Sequence, residues 1–403
     1  MSERLYTYKF KLEPTEAQQS LMAKHFGCGR FVYNHFLELK SVLYKTKKQS
    51  LKRKDMEIDL PVLKQQHPWL KEVGSQSLQF TIECLDKGFQ HFFRRCKEKA
   101  KKKGYPKFKR RHSNQSFRVK QNISIKDNKL VCPKFLEGIP IVRHREVEGE
   151  IRFATISLNR AGDYSVAITV KRNIAELPKT TGQLGIDINT KAMVDSDGKH
   201  HLNPLPARQY KAKLKKLAQK VSRATKGSKA RMKARQKLAK LKQHIRNIRE
   251  DYLHKLTTSI IHENQVIVVE DLCVQDMLKK VEATERTEKR WQERKRHRDI
   301  ADCGYYSFVQ KLIYKAEWYG RTLLKVSRWF PSSQLCSVCG WRYKELEPHE
   351  REWCCYNCFT NHSRDENAAA NILCEGLRIR TCGTQEIAYC PDVRPAKSGL
   401  LVG

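Results

Sequence analysis

No stretch of this chain approaches the roughly 18 to 20 consecutive apolar residues that a membrane span requires. Its first ten residues, Met1 to Phe10, lack the charged-then-apolar pattern of a secretory signal. Both absences predict a cytoplasmic protein with no membrane partner. Acidic residues are scarce: 43 Asp and Glu face 80 Lys and Arg, a formal net charge of +37. Between Lys199 and Arg249 there is no Asp or Glu at all. A cationic surplus of this size repels itself unless a polyanion neutralises it. Nucleic acid is the expected partner, with counterion release as the driving term. No internal repeat is present. No Ser-His-Asp or Cys-His arrangement for nucleophilic catalysis is legible, and no tyrosine is placed as a recombinase nucleophile.

What is present fits two or three domains, since 403 residues exceed one ordinary domain and 39% are hydrophobic. Tyr6, Tyr8, Phe10 and Leu12 alternate with polar residues, so the chain opens with a strand that Pro14 ends. Helical spacing follows to about residue 98, with breaks expected at Pro61 and Pro68. The segment 97–111 carries nine Lys or Arg among fifteen residues, interrupted by Gly104, Tyr105, Pro106 and Phe108. Residues 115–172 alternate as β-strands, with turns at Asp127-Asn128 and Gly162-Asp163. Residues 184–194 read as one strand leading into a hairpin turned at Asp195–Gly198. A basic helical pair spans about 205–263, punctuated by Gly227-Ser228, with an apolar stripe opposite its basic face. A short buried strand covers 266–269. Residues 275–299 lack a clear period and are expected to form a mobile lid or loop. A helix is predicted at 304–320, a strand at 323–326 and a helix at 365–378, before a loosely ordered tail.

Four of the 14 cysteines have metal-ligand spacing. Cys336-x-x-Cys339 and Cys355-x-x-Cys358 are fifteen residues apart, which suits a four-thiolate zinc site. Four protein ligands leave no open position, so one Zn²⁺ here is structural. Cys354 is expected to face away, and His349 and His362 are spare donors. The remaining cysteines are mostly scattered singly, as reduced thiols are.

Three carboxylates lie in three separate segments. Asp187 is flanked by Ile186 and Ile188, and in a strand it shares a face with Gly185 and Asn189, opposite Leu184, Ile186 and Ile188. Glu270 and Asp271 end the run Val266–Val269, and periodicity does not decide which of them faces a site. Asp365 follows Cys358 by seven residues and precedes Asn367-Ala368-Ala369-Ala370. Each has an ordinary structural reading as a strand end or a helix cap. Together with the cationic surface they suit a pair of Mg²⁺ ions about 4 Å apart and hydrolysis of phosphodiesters.

The same residues carry a family likeness. Gly27-x-Gly29-Arg30-Phe31-Val32-Tyr33-Asn34, Gly104–Lys109, Gly185-Ile186-Asp187, Leu253–Thr257, Val269–Leu272, Pro331–Gly340 and Arg364–Ala369 occur in this order. The chain resembles, nearly end to end, the TnpB (OrfB) proteins of bacterial and archaeal insertion sequences, compact RNA-guided DNA nucleases related to type V CRISPR effectors. The resemblance implies an α/β architecture with a β-barrel and a helical bundle. In it a RuvC-like nuclease domain of RNase H fold carries an inserted zinc ribbon, preceded by a wedge-like β-barrel interrupted by a helical recognition domain. It implies Asp187, Glu270 and Asp365 as the Mg²⁺-binding catalytic trio, which selects Glu270 over Asp271. The partners implied are a guide RNA from the transposon end and double-stranded target DNA beside a transposon-adjacent motif, in the bacterial or archaeal nucleoid, with a monomer in the ribonucleoprotein. Two departures stand out: Asn189 replaces a frequent Gly, and Ser363 replaces a frequent acid.

The expected boundaries are 1–14 and 113–180 for the wedge barrel and 15–112 for the helical recognition domain. The nuclease domain takes 181–330 and 361–380, the zinc ribbon 331–360, and the flexible tail 381–403. The resemblance implies that the adjacent motif is read near Ser75, Gln76, Gln79, Gln121 and Asn122, and further nucleic-acid contacts are expected at Tyr105, Lys107 and Lys109 in the basic segment. Two other readings use the same residues: a catalytically silent RNA- and DNA-binding transposon regulator or accessory transposition protein, and a strand-joining transposase. The intact trio argues against the first, and the likeness to nucleases against the second.

Overall fold

A computed structural model describes residues 2–100, 102–111, 113–278, 287–347, 349–382 and 387–389. The chain divides into two compact units, Ser2–Asn173 and Ile174 onward.

In the first unit, the alternating apolar residues of β1 (Ser2–Leu12) lead to Thr15, which caps α1 (Glu16–Lys47) in a reciprocal box with Gln18. Helices α2 (Arg53–Gln66) and α3 (Ser75–Lys97) pack on α1 through Val32, Phe36, Met56, Leu63, Ile82 and Leu85. Pro61 does not break the chain as expected but lies inside α2, where the buried Leu60 and Leu63 on either side hold the helix in the core. Pro68 does end it, opening a short 3₁₀ turn. The strands β2 (Gln115–Val119), β3 (Ser124–Lys126), β4 (Lys129–Cys132), β5 (Phe135–Val142), β6 (Glu150–Leu158) and β7 (Tyr164–Ile174) join β1 in one sheet, ordered β2-β6-β7-β1-β5-β4-β3. Its apolar face closes over Met22 and Phe26 of α1. The expected barrel is not closed: among the described residues β2 and β3 remain edge strands, and α1 covers the core that pairing of those edges would have sealed.

The second unit is built on a six-stranded sheet. The strands β8 (Gln183–Ile188), β9 (Ala192–Asp195) and β10 (His200–Leu202) form an antiparallel meander, and β11 (Val266–Glu270) and β12 (Thr322–Val326) run parallel to β8. The segment 184–194 is thus two strands, not one. The chain reverses at Asn189, Thr190 and Lys191, where Asn189 N–H donates to the Ala192 carbonyl. Between β10 and β11 come α4 (Pro206–Gln209), α5 (Lys211–Arg223) and the 35-residue α6 (Lys229–Glu263), which is capped by Ser228. A short helix, α7 (Val274–Met277), follows β11. Of the expected loop at 275–299, residues 279–286 lie outside the described residues and 287–299 belong to helix α8 (Thr287–Cys303); α9 (Tyr305–Tyr319) then leads into β12. The sequence of α8 is charged nearly all round, which hides its helical period.

Small strands β13 (Glu352–Cys354) and β14 (Asn361–Ser363) precede the long α10 (Arg364–Cys382). The segment β15 (Ile387–Tyr389) pairs with β12, so part of the expected tail joins the sheet; residues 390–403 lie outside the described residues. Alternation sorts the sheet into two layers. Leu184, Ile186, Ile267, Val269 and Leu323 pack on α6 and α9, whereas Val266, Val268, Leu324 and Val326 pack on α10. Each such aliphatic side chain contributes about 1.5–3 kcal/mol on burial.

Candidate active site and metal centre

Asp187 and Glu270 end adjacent parallel strands. Val269 lies opposite Ile186, so Glu270 and Asp187 are the next residues along, at the carboxyl ends where open α/β sheets commonly bind ligands. Both belong to the α10 face of the sheet, with Gly185 and Val268. Asp271 does not share this setting. It pairs with Lys325 (3.1 Å) and Arg328 (3.2 Å). These two cations hold its carboxyl below the usual range despite partial burial.

Helix α10 brings in the third acid. A side chain at Gly185 would meet Leu373 at 2.8 Å and the Ala369 carbonyl closer still, and one at Gly376 would collide with Val268. The two glycines therefore let α10 lie directly on β8 and β11. Asp365 precedes Ala369 by about one turn, or 6 Å of rise, and Asp187 follows Gly185 by a similar distance along its strand. The helix start and the strand end thus converge. Burial, followed by the charges of Glu270 and Asp365, pushes the Asp187 carboxyl up to about 7. Burial also raises that of Glu270. A hydrogen bond holds each of the three: Asn189 Nδ2 donates to Asp187 Oδ2 (2.6 Å), Ser332 Oγ to Glu270 Oε1 (3.0 Å), and Arg351 Nη1 to Asp365 Oδ1 (3.2 Å).

This is a negatively charged oxygen-donor cluster with too little positive charge of its own. Hard divalent cations suit it, for its donors include no thiol or imidazole. The three acids do not bring their oxygens within 4.8 Å of one another, as the four cysteines do their sulfurs. That wider spacing is compatible with acids that bridge a pair of ions.

The cysteines form a closed tetrahedral set. Cys336 and Cys358 sulfurs are 3.5 Å apart, and Cys339 and Cys355 are 3.6 Å apart. Zn–S bonds of about 2.3 Å give sulfur–sulfur edges of about 3.8 Å, so the donors fit one structural Zn²⁺. Each pair sits in a tight turn: Gly340 N–H donates to the Cys336 carbonyl and Phe359 N–H to the Cys355 carbonyl. Gly340 and Phe359, each following the second cysteine of its pair, both take positive φ (75° and 57°). Cys354 is exposed beside the knot. His362 is buried with Nε2 3.0 Å from Cys336 Sγ, placed to interact with that sulfur.

Three residues that sequence reasoning missed tie the knot to its surroundings: Ser332, Asn367 and Asn371, all buried. None of them leaves a periodic signal; Ser332 and Asn367 fall within the family motifs Pro331–Gly340 and Arg364–Ala369, the one sequence signal that points to them, and Asn371 lies outside both.

In the first unit, the residues expected to touch nucleic acid are mixed. Gln76 Oε1 accepts from the Lys120 and Gln121 amides, and its Nε2 donates to Gln121, so this pair braces α3 against the β2–β3 turn. Ser75 accepts from Lys64. Lys109 lies over the Tyr33 ring and exchanges hydrogen bonds with Asn34. Tyr105 packs edge-on against Phe89 and Phe92 and bonds Ser41. Gln79, Lys107 and Asn122 are exposed. Among the described residues no helix is long and apolar enough to cross a membrane.

The second unit is thus an α/β unit with acids at its strand ends and a four-thiolate knot leading into its last helix. Residues 164–281 match the OrfB_IS605 family model, described as "Probable transposase"; residues 305–372 match the Cas12f1-like TNB domain and residues 1–49 the helix-turn-helix domain of the OrfB_IS605 group. A protein of Streptomyces pristinaespiralis, provisionally named an RNA-guided DNA endonuclease, is 34% identical over 93% of this chain and 90% of its own length. InsQ of Escherichia coli K12, named in the same provisional way, is 29% identical over 94% of both chains. The protein in a cryo-EM structure of a Cas12f1–sgRNA–target DNA complex shares the fold at a TM-score of 0.53 and 14% identity, over 89% of this chain and 83% of that one. The chain belongs to the TnpB (OrfB) family of IS605-type insertion sequences.

Proposed function

We propose that this protein is an RNA-guided DNA endonuclease of an insertion sequence, hydrolysing phosphodiester bonds at Asp187, Glu270 and Asp365 in a RuvC-like domain of RNase H fold. The observation that carries this reading is the convergence of the three acids, with Asp187 and Glu270 in adjacent register and the Asp187 carboxyl raised by burial and then by both neighbouring acids. The strand order β10-β9-β8-β11-β12, a meander followed by two strands parallel to its first, supports the RNase H reading. The names of the full-length relatives support the substrate and the guide.

Two Mg²⁺ ions held by the trio would activate the attacking water and neutralise charge on the departing 3′ oxygen. The chain's own residues prepare that site. Asn189 and Ser332 each engage one carboxylate oxygen of Asp187 and Glu270, fixing the plane in which the other is presented. In this reading residues 15–112 recognise target and guide, residues 331–360 form the zinc ribbon, and the acid-free span 199–249 supplies phosphate contacts to a guide–target duplex held by its backbone.

The test uses the protein purified with its co-expressed RNA. Asp187→Ala should abolish cutting of a target plasmid and leave RNA and target binding close to wild type. Cleavage by that variant at the wild-type rate would remove the catalytic assignment, and an absence of any discrete co-purifying RNA would remove the guided one.

A further inference from the structure

Glu270 is held by a residue from the arm that leads into the thiolate knot. Ser332 is 8% exposed, and its hydroxyl is 3.0 Å from Glu270 Oε1. Its own backbone is fixed on both sides. The amide donates to the Phe330 carbonyl at 2.8 Å, and the carbonyl accepts from Asn371 Nδ2 at 2.8 Å. Phe330 in turn packs on the cluster of Val326, Ile372 and Ile379. The hydroxyl therefore reaches Glu270 from an anchored position.

The anchor continues into the knot. Asn371 Nδ2 also donates to the Leu335 carbonyl at 2.7 Å, and Asn367 Nδ2 donates to that same carbonyl at 2.6 Å. Asn367 Oδ1 accepts from the Ser337 amide at 2.9 Å. Leu335 and Ser337 bracket Cys336, the first knot ligand. Asn367 and Asn371 are four residues apart and share one face of α10, whose first turn carries Asp365. Two buried amides thus clamp the knot's entry to the helix that bears one acid, and the clamped segment hydrogen-bonds another.

We infer that Ser332 is a positioning residue for Glu270, and that Asn367 and Asn371 transmit the order of the four-cysteine knot to the cation site through it. This rests on the proposed catalytic role of the trio. Ser332 takes Oε1, and Oε2 has no hydrogen-bond partner among the described residues, so the carboxylate is oriented with one oxygen committed and one available. Partners of this kind behind a metal ligand typically account for 10–100-fold in metal affinity. The knot is then more than a local staple, because its arm sets the aim of a ligand in the neighbouring site.

The test compares Ser332→Ala and Ser332→Thr in the RNA-loaded protein, with Asp187→Asn as a control. Ser332→Ala should raise the Mg²⁺ concentration for half-maximal cleavage by 10–100-fold, with the rate recovering at saturating Mg²⁺, zinc content unchanged and RNA binding intact. Ser332→Thr, which keeps the hydroxyl, should return the midpoint to near wild type. A readout independent of cutting is the Ca²⁺ concentration that half-saturates thermal stabilisation, which should move by the same factor. Wild-type Mg²⁺ and Ca²⁺ midpoints in Ser332→Ala would overturn the inference. If Ser332→Ala fails to fold, the near-isosteric Ser332→Cys, with its weak donor, must show the shift, and a wild-type midpoint there is equally fatal. An active Asp187→Asn would instead defeat the catalytic reading itself, so the two failures are distinguishable.

Discussion

Replacing Asp187 by asparagine removes one charge from the acidic trio while keeping the side chain's shape and its ability to accept from Asn189. Burial and the Glu270 and Asp365 charges push the Asp187 carboxyl from 3.8 up to about 7. In the magnesium-free protein below about pH 4, folded and unfolded chains both hold the proton, and the charge contributes nothing. As pH rises towards 7 the unfolded chain ionises and the folded one resists, so stability falls by about 1.36 kcal/mol per pH unit. Above 7 the cost levels off at about 4 kcal/mol, or about 2–4 after allowing for the solvent that still reaches this half-buried group. Asp187→Asn should therefore stabilise the magnesium-free protein by about 2–4 kcal/mol at pH 8, and by roughly half that at pH 5.5. The assay is urea unfolding of both proteins, zinc retained, at the two pH values; thiolate protonation is common to both and cancels in the difference. Millimolar Mg²⁺ should then stabilise the wild type and have little effect on the variant. A variant no more stable than wild type at pH 8, or a gap that does not change with pH, would refute the account of Asp187 as a strained acid relieved by a cation.

Cys336→Ser should release the bound zinc and lower the melting temperature of the second unit, because the clamp through Asn367 and Asn371 loses its fixed end; unchanged metal content and melting would contradict a structural zinc. Gly185→Ala should destabilise by about 1–3 kcal/mol or more, as α10 cannot retreat from β8 without moving Asp365, and urea unfolding together with the cleavage rate checks both effects. Asp271→Asn should spare cutting, since that carboxylate is occupied by Lys325 and Arg328, and a dead variant would put Asp271 in the site after all. Target affinity should fall about 10³–10⁵-fold between 50 and 200 mM salt if six to ten phosphates are contacted, and a flat profile in a filter-binding titration would remove the basic helices from the interface.

The residues that sequence pattern could place are those whose neighbours in the chain determine their surroundings. Asp187 was legible because Leu184, Ile186 and Ile188 claim one face of β8 and leave the other to the acid. The knot was legible because each cysteine pair is a local turn. The choice between Glu270 and Asp271 was not, for the strand ends between them, and only the distant Lys325 and Arg328 on one side and α10 on the other separate their fates. The openness of the first sheet was equally hidden: its two edges, β2 and β3, are neighbours in the chain, and whether they meet is decided by the whole seven-stranded order between them and by α1, which packs on the same core. Ser332 and the two asparagines lie at the far end of this scale. Each is an ordinary polar residue in the sequence and acquires meaning only when α10, the knot's arm and the end of β11 meet. Such groups are costly to bury without partners. Here the partners are present: Ser332 bonds Glu270, and the two asparagines bond the backbone on either side of Cys336 and of Ser332 itself, so the contacts that satisfy these buried groups are the same ones that hold the Glu270 carboxylate in place.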